Sequence, residues 1–213
     1  MSLKESMKRL AYMCERCNEE GTEEYDVKDI VKSGAYAFDF NHDTLHSVET
    51  NIFKPWLTSA LSSSPSSIHS VLSECWSRKS AINSHASTCK SLLSSLSKYR
   101  SVPSSLLALQ KTCTTIASLI DSNIHDQDTV LVPSINAAAT SSQQKRLNNK
   151  ILKSLGITQA RTHLSSMWEV VRNEPEEVEL WKIKIPKVAR IIAGSKSWED
   201  KIGRMKEITP NSL

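Results

Sequence analysis

The segment from Phe40 to Leu57, FNHDTLHSVETNIFKPWL, carries His42, His46 and Glu49 at offsets of four and three. On a helix, such offsets place side chains on neighbouring turns of one face. Imidazole and carboxylate one turn apart, pointing into a bundle, are how helical proteins build iron or manganese sites. The same spacing also arises with no ligand role, the histidines then being surface or hydrogen-bonded residues. Cys14 and Cys17 form a lone CxxC, which in another setting is half a zinc site or a redox pair. No second CxxC or His pair follows at zinc-finger spacing, so core thiols are expected there, as for Cys75, Cys89 and Cys113 on apolar stripes. No GxSxG, Gly-rich phosphate loop or dinucleotide fingerprint is present. Hydrolase, kinase and dehydrogenase readings therefore have no support, and no catalytic residue is assigned.

The elements that must position these residues are helical. With 5 Gly and 7 Pro in 213 residues, the chain lacks the frequent turns that an all-β fold requires. Leu3, Met7, Leu10, Met13, Cys14 and Cys17 mark one apolar face of a first helix, Ser2 to about Asn18. Phe38, His42, Leu45, Glu49, Ile52, Phe53 and Trp56 recur every three or four residues in a second, Asp29 to Ala60. SSSPSS, Ser62 to Ser67, reads as a loop, with Pro65 suited to start the next helix. The third helix presents Val71, Leu72, Cys75, Ile82, His85, Cys89, Leu92 and Leu96 and ends near Tyr99. The fourth, from about Ser104, presents Leu106, Leu109, Cys113, Ile116, Ile120, Asn123, Gln127, Val130 and Leu131, with Pro133 kinking or ending it. Four long amphipathic segments with short connections imply an all-α, up-down-up-down four-helix bundle over residues 1–139.

Residues 140–213 are expected to add shorter helices packed on that bundle: Ser141 to Leu155 closed by a Gly156 C-cap, Gln159 to Asn173, Glu176 to Ile183 and Pro186 to Ile208. Trp168, Trp181 and Trp198 would anchor them, an exposed subset instead marking a partner surface. The net charge of +4 gathers in this region without a dense basic stripe, so nucleic acid is not an expected partner. An odd number of cysteines, 5, favours reduced thiols in an intracellular compartment. No apolar run is long enough to span a membrane, so the chain reads as soluble.

Glu49 followed by IFKP, Ile52 to Pro55, resembles the end of the repeated motif of the hemerythrin-like HHE family, in which a His precedes a Glu, an apolar pair and a Pro. DTVLVP, Asp128 to Pro133, is similar to the end of its second copy. QQKRLNNKILKSLGITQARTHLSSMW resembles the C-terminal extension of some eukaryotic members, and the likeness covers about Phe38 to Ile208. It implies a four-helix bundle with a metal layer, to which His85 corresponds as the third-helix His. The departures are specific. Leu45 and Asn123 stand at the family's two motif His positions, Gln127 stands at the second Glu, and no His precedes His42. Glu49 and His85 are retained, with His42 and His46 as displaced substitutes, too few for a two-metal centre.

The resemblance therefore implies a degenerate site in which Leu45, Asn123 and Gln127 replace ligands with a neutral layer, Asn and Gln bonding one another. No cofactor is expected, and the expected role is structural: a scaffold or assembly subunit that engages a protein partner. Without a cation, Glu49 must be protonated, paired with His85 or His46, or exposed. The alternative is a metal-binding protein that holds iron, manganese or zinc with His42, His46, Glu49 and His85 for sensing, storage or oxygen chemistry. A single-metal triad of His46, Glu49 and His85 would suffice for it.

Overall fold

Asp26 and Thr140 cap the starts of two helices of this chain, and Pro55 and Pro133 each stand just past a stretch of wider pitch. The computed structural model describes residues 3–19, 26–98, 103–156, 175–176 and 178–179, the side chains of 39–41 excepted. Every element among the described residues is helical, so the chain is all-α as expected. Residues Leu3–Ile151 form one compact unit, and the following elements belong to it apart from the last turn of α8. The segments Gln159 to Asn173 and Pro186 to Ile208, with Trp168, Trp181 and Trp198, lie outside the described residues.

Helix α1 (Leu3–Asn18) buries Met7, Leu10, Met13 and Cys14, and helix α2 (Val27–Ala35) starts at Asp26. The Asp26 carboxylate accepts the Asp29 N–H at 2.9 Å, satisfying a donor that the first helical turn leaves unpaired. From α2 the chain passes without a break through a π-helical segment (Tyr36–His42), α3 (Asp43–Val48), a second π segment (Glu49–Phe53) and α4 (Lys54–Ala60). Leu61 to Pro65 turns the chain into α5 (Ser66–Lys98). Helix α6 (Pro103–Asp126) likewise runs through a third π segment (Gln127–Leu131) into α7 (Val132–Ala138). Ala139 then leaves the helix with extended dihedrals. α8 (Ser141–Ser154) opens with a reciprocal cap: Thr140 Oγ1 accepts the Gln143 N–H at 3.3 Å, and Gln143 Oε1 accepts the Thr140 N–H at 2.8 Å.

Pro133 neither ends nor breaks its helix, and the reason is the same as at Pro55. A proline inside an α-helix has no N–H to donate and clashes with the carbonyl four residues back. Those carbonyls belong to Asn51 and Thr129, each inside a π segment. Just ahead of each proline, the Lys54 N–H reaches back five residues to the Glu49 carbonyl, and the Val132 N–H to the Gln127 carbonyl. The wider turn makes room for the ring, and the helix continues.

Polar pairs fix how neighbours run. Asp43–Lys90 and Glu49–Lys79 tie α3 and the second π segment to α5, while Arg78–Asn123 and Cys89–Cys113 tie α5 to α6. In both pairings residue numbers rise along one helix as they fall along the other, so the neighbours are antiparallel. α1 packs along α6, with Lys4 ion-paired to Asp121. Met7, Leu10, Phe38, Ile30, Leu57, Leu61, Leu106, Leu109 and Ile116 are sealed from solvent, each contributing about 1.5–3 kcal/mol by burial. α2 and α5 approach closely at Gly34, where a Cβ would lie 2.4 Å from Leu93 Cδ1. Leu93 is buried and its neighbour Leu92 only partly so, the reverse of the expected stripe. No helix among the described residues is long and apolar enough to cross a membrane.

Candidate functional site

Four of the residues with ligand chemistry lie where α3 and the second π segment face α5. His42 is buried at 7% exposure, held by the register of the first π segment, and its ring lies edge-on to Phe38. Its Nδ1 meets Asp43 Oδ1 at 2.9 Å and its Nε2 meets Asn83 Oδ1 at 3.0 Å. Neither nitrogen can ligate a metal without giving up a hydrogen bond. The Asn83 amide then donates to His46 Nδ1 at 3.1 Å, and the two imidazoles stack with centroids 5.9 Å apart. Lys90 Nζ closes the chain on Asp43 at 2.6 Å. Burial pushes the Asp43 carboxyl up, but hydrogen bonds from Lys90 and His42 outweigh it and leave the group below the ordinary carboxylate range.

Glu49, one turn beyond His46, pairs with neither histidine. Its carboxylate accepts from Lys79 Nζ at 2.5 Å, and both side chains are about a quarter exposed. The cation that the expectation lacked is supplied by α5 itself. His85 is half-buried and stands apart from this group. Asn83 and His85 are two positions apart on α5, which turns their side chains roughly 160° from one another. A set of His42, His46, Glu49 and His85 would have to close around α5 from opposite sides. Among the described residues, no three His, Cys, Asp or Glu side chains are grouped so as to hold a metal ion.

The other side of α5 carries a second polar cluster. Asn123 on α6 is 2% exposed and accepts from Arg78 Nε at 2.8 Å, while its amide donates to the Cys75 carbonyl at 3.4 Å. The Arg78 guanidinium also bonds Asp126 and reaches Glu74 at 3.8 Å. The expected Asn123–Gln127 pair is not made: Gln127 is half-buried at the start of the third π segment. Leu45 is 38% exposed and belongs to no core layer. Counting back from Pro55 with an α-helical period crosses the second π segment, whose extra residue shifts the phase and moves position 45 outward. Arg78 and Lys79 were missed by the sequence reading. Their signal was two adjacent basic residues on a helix whose other polar positions are mostly serine.

Four thiols are buried, and Cys17 is half-buried. Cys89 and Cys113 lie with sulfurs 3.9 Å apart, both fully buried. Burial pushes the Cys14 thiol up to about 12, and it raises Cys17 as well, so the CxxC pair stays protonated at neutral pH and is a poor nucleophile. At Cys75 burial also raises the thiol, against the opposing pull of Arg78.

Comparison with known proteins adds no relative: no family model, no curated protein and no solved structure matches this chain.

Proposed function

We propose that this chain is a divergent hemerythrin-like four-helix bundle of up-down-up-down topology, whose metal layer has been replaced by its own cations, and that it serves as a scaffold or assembly module for a protein partner. The four strokes of that bundle are α1, the continuous run Val27–Ala60, α5, and the run Pro103–Ala138. The antiparallel contacts of α5 with both long runs support the topology, and the two π segments that open on Glu49 and Gln127 and end two residues short of a proline support the repeated motif.

One observation carries the functional reading. Lys79 sits on Glu49, the retained carboxylate, and Arg78 sits on Asn123, at one of the family's His positions. Adjacent residues of α5 thus supply positive charge to both halves of the layer where the family would place metal ions. A buried or half-buried anion needs a cation or a proton, and a lysine ammonium answers that need without redox or ligand-exchange chemistry. The residues present do not fit an iron, manganese or zinc centre, since Glu49, His42 and His46 are already engaged and His85 faces elsewhere. A structural role follows from a core that holds its polar groups fixed.

The test is elemental analysis of protein purified without chelator, with Lys79→Met beside the native chain. The scaffold reading expects iron, manganese and zinc well below one per chain in the native protein. A full equivalent of one metal, lost on Glu49→Gln and on His85→Ala, would instead establish the metal-binding alternative.

A further inference from the structure

We propose that the groove between α4 and α8 is a binding site for a small amphipathic anion, with an acyl or alkyl body lying against Ile52, Pro55, Trp56 and Leu147 and a carboxylate or phosphate head held by Arg146 and Lys150. The groove has a volume of about 420 Å³, within the range of roughly 300–1,000 Å³ typical of small-molecule sites. Its floor is apolar and built. Ile52 and Leu147 are both buried at 8% exposure, and the Trp56 ring is stacked on Phe53 at a centroid distance of 6.3 Å.

The rim is charged in one sense. Arg146 and Lys150 are one helical turn apart, so both heads reach the same end of the groove. Several basic side chains of this unit are held by carboxylates: Lys4 by Asp121, Arg78 by Asp126, Lys79 by Glu49 and Lys90 by Asp43. Arg146 and Lys150 have no such partner among the described residues. Two uncompensated cations beside an apolar floor are complementary to a molecule with one anionic end and one greasy end.

Size separates this ligand from a peptide. The α4 side of the groove spans Ile52 to Ser59, roughly 10 Å of helix, whereas a stable protein partner covers about 800 Å² on each side. None of the groove's lining residues belongs to the Arg78 and Lys79 layer, so the assignment stands or falls independently of the scaffold reading.

Calorimetric titration of the full chain with dodecanoate, kept below its micelle threshold, tests the assignment. Dodecanoate and dodecyl phosphate should both bind, and the tighter of the two identifies the preferred head. Shortening dodecanoate to decanoate should weaken binding by about two- to fourfold per methylene removed, and R146E/K150E should weaken it by about tenfold or more. Ser59→Trp, which fills the groove from its rim, should also abolish binding while leaving the circular dichroism spectrum helical. Equal affinity for dodecyltrimethylammonium, unchanged affinity in R146E/K150E, or no binding of either anion would overturn the proposal. So would binding of an acidic amphipathic peptide where dodecanoate gives no heat.

Discussion

Two regions of the same helices solve burial in opposite ways. Where α1, α5 and α6 meet, Met7, Leu10, Cys14, Cys89, Leu109 and Cys113 fill the interior with side chains that ask for no hydrogen bonds beyond weak thiol contacts. Nearer the start of α5, polar groups are met by individual partners, Asn123 by Arg78, Glu49 by Lys79, His42 by Asp43 and Asn83, while the buried Trp76 Nε1 has none among the described residues. The first arrangement depends on volume and tolerates no gaps. The second depends on identity, because a satisfied polar group becomes an unsatisfied one when its partner is lost.

The contrast can be broken most forcefully at the apolar end. Leu109→Ala leaves a cavity in a fully buried site, and a loss of about 2–5 kcal/mol is expected in urea unfolding; a loss below 1 kcal/mol would show that this end is loosely packed. Gly34→Ala drives a methyl group into Leu93 and should cost about 1–3 kcal/mol through overpacking, read as a lower melting temperature.

The polar layer gives smaller effects that depend on which partner is removed. Arg78→Ala strips the donor from buried Asn123 and should cost about 1–3 kcal/mol, whereas Arg78→Ala combined with Asn123→Leu should recover part of it. Glu49→Gln removes a partly exposed ion pair, so its expected cost is under about 1 kcal/mol. Asp43→Asn should differ from the native protein only above the acid range. Because the folded carboxyl is held below its ordinary value of 3.8, its contribution is present above the unfolded pKa and fades as pH falls through the folded one. Parallel acid titrations of the two proteins by circular dichroism would show their stabilities converging below about pH 4.

The helical stripes were legible because periodicity reports burial directly. Leu106, Leu109, Cys113 and Ile116 fall every three or four residues, and all four are buried. Asn123 was legible too, as a polar residue in an apolar register. Its partner was not, since Arg78 lies 45 positions away, and nothing local distinguishes a buried arginine head from a solvated one. Leu45 failed for a different reason. A constant period cannot follow a helix whose pitch changes at Tyr36–His42 and again at Glu49–Phe53, and the error grows with distance from the nearest correctly placed residue.

The π segments also make residue count, separately from residue type, a determinant of this fold. Each holds one more residue than an α turn would, so removing any single residue from Glu49–Phe53 would let the backbone relax to α geometry. Because the wider turn already absorbs that extra residue, Leu57 and Leu61, sealed in the core, would keep nearly the same facing, but Pro55 would meet the carbonyl that the wider turn had moved aside. A one-residue deletion there should be far more damaging than most substitutions in the same segment, whereas Ser62 to Ser64, in the turn between α4 and α5, should accept changes of length with little loss.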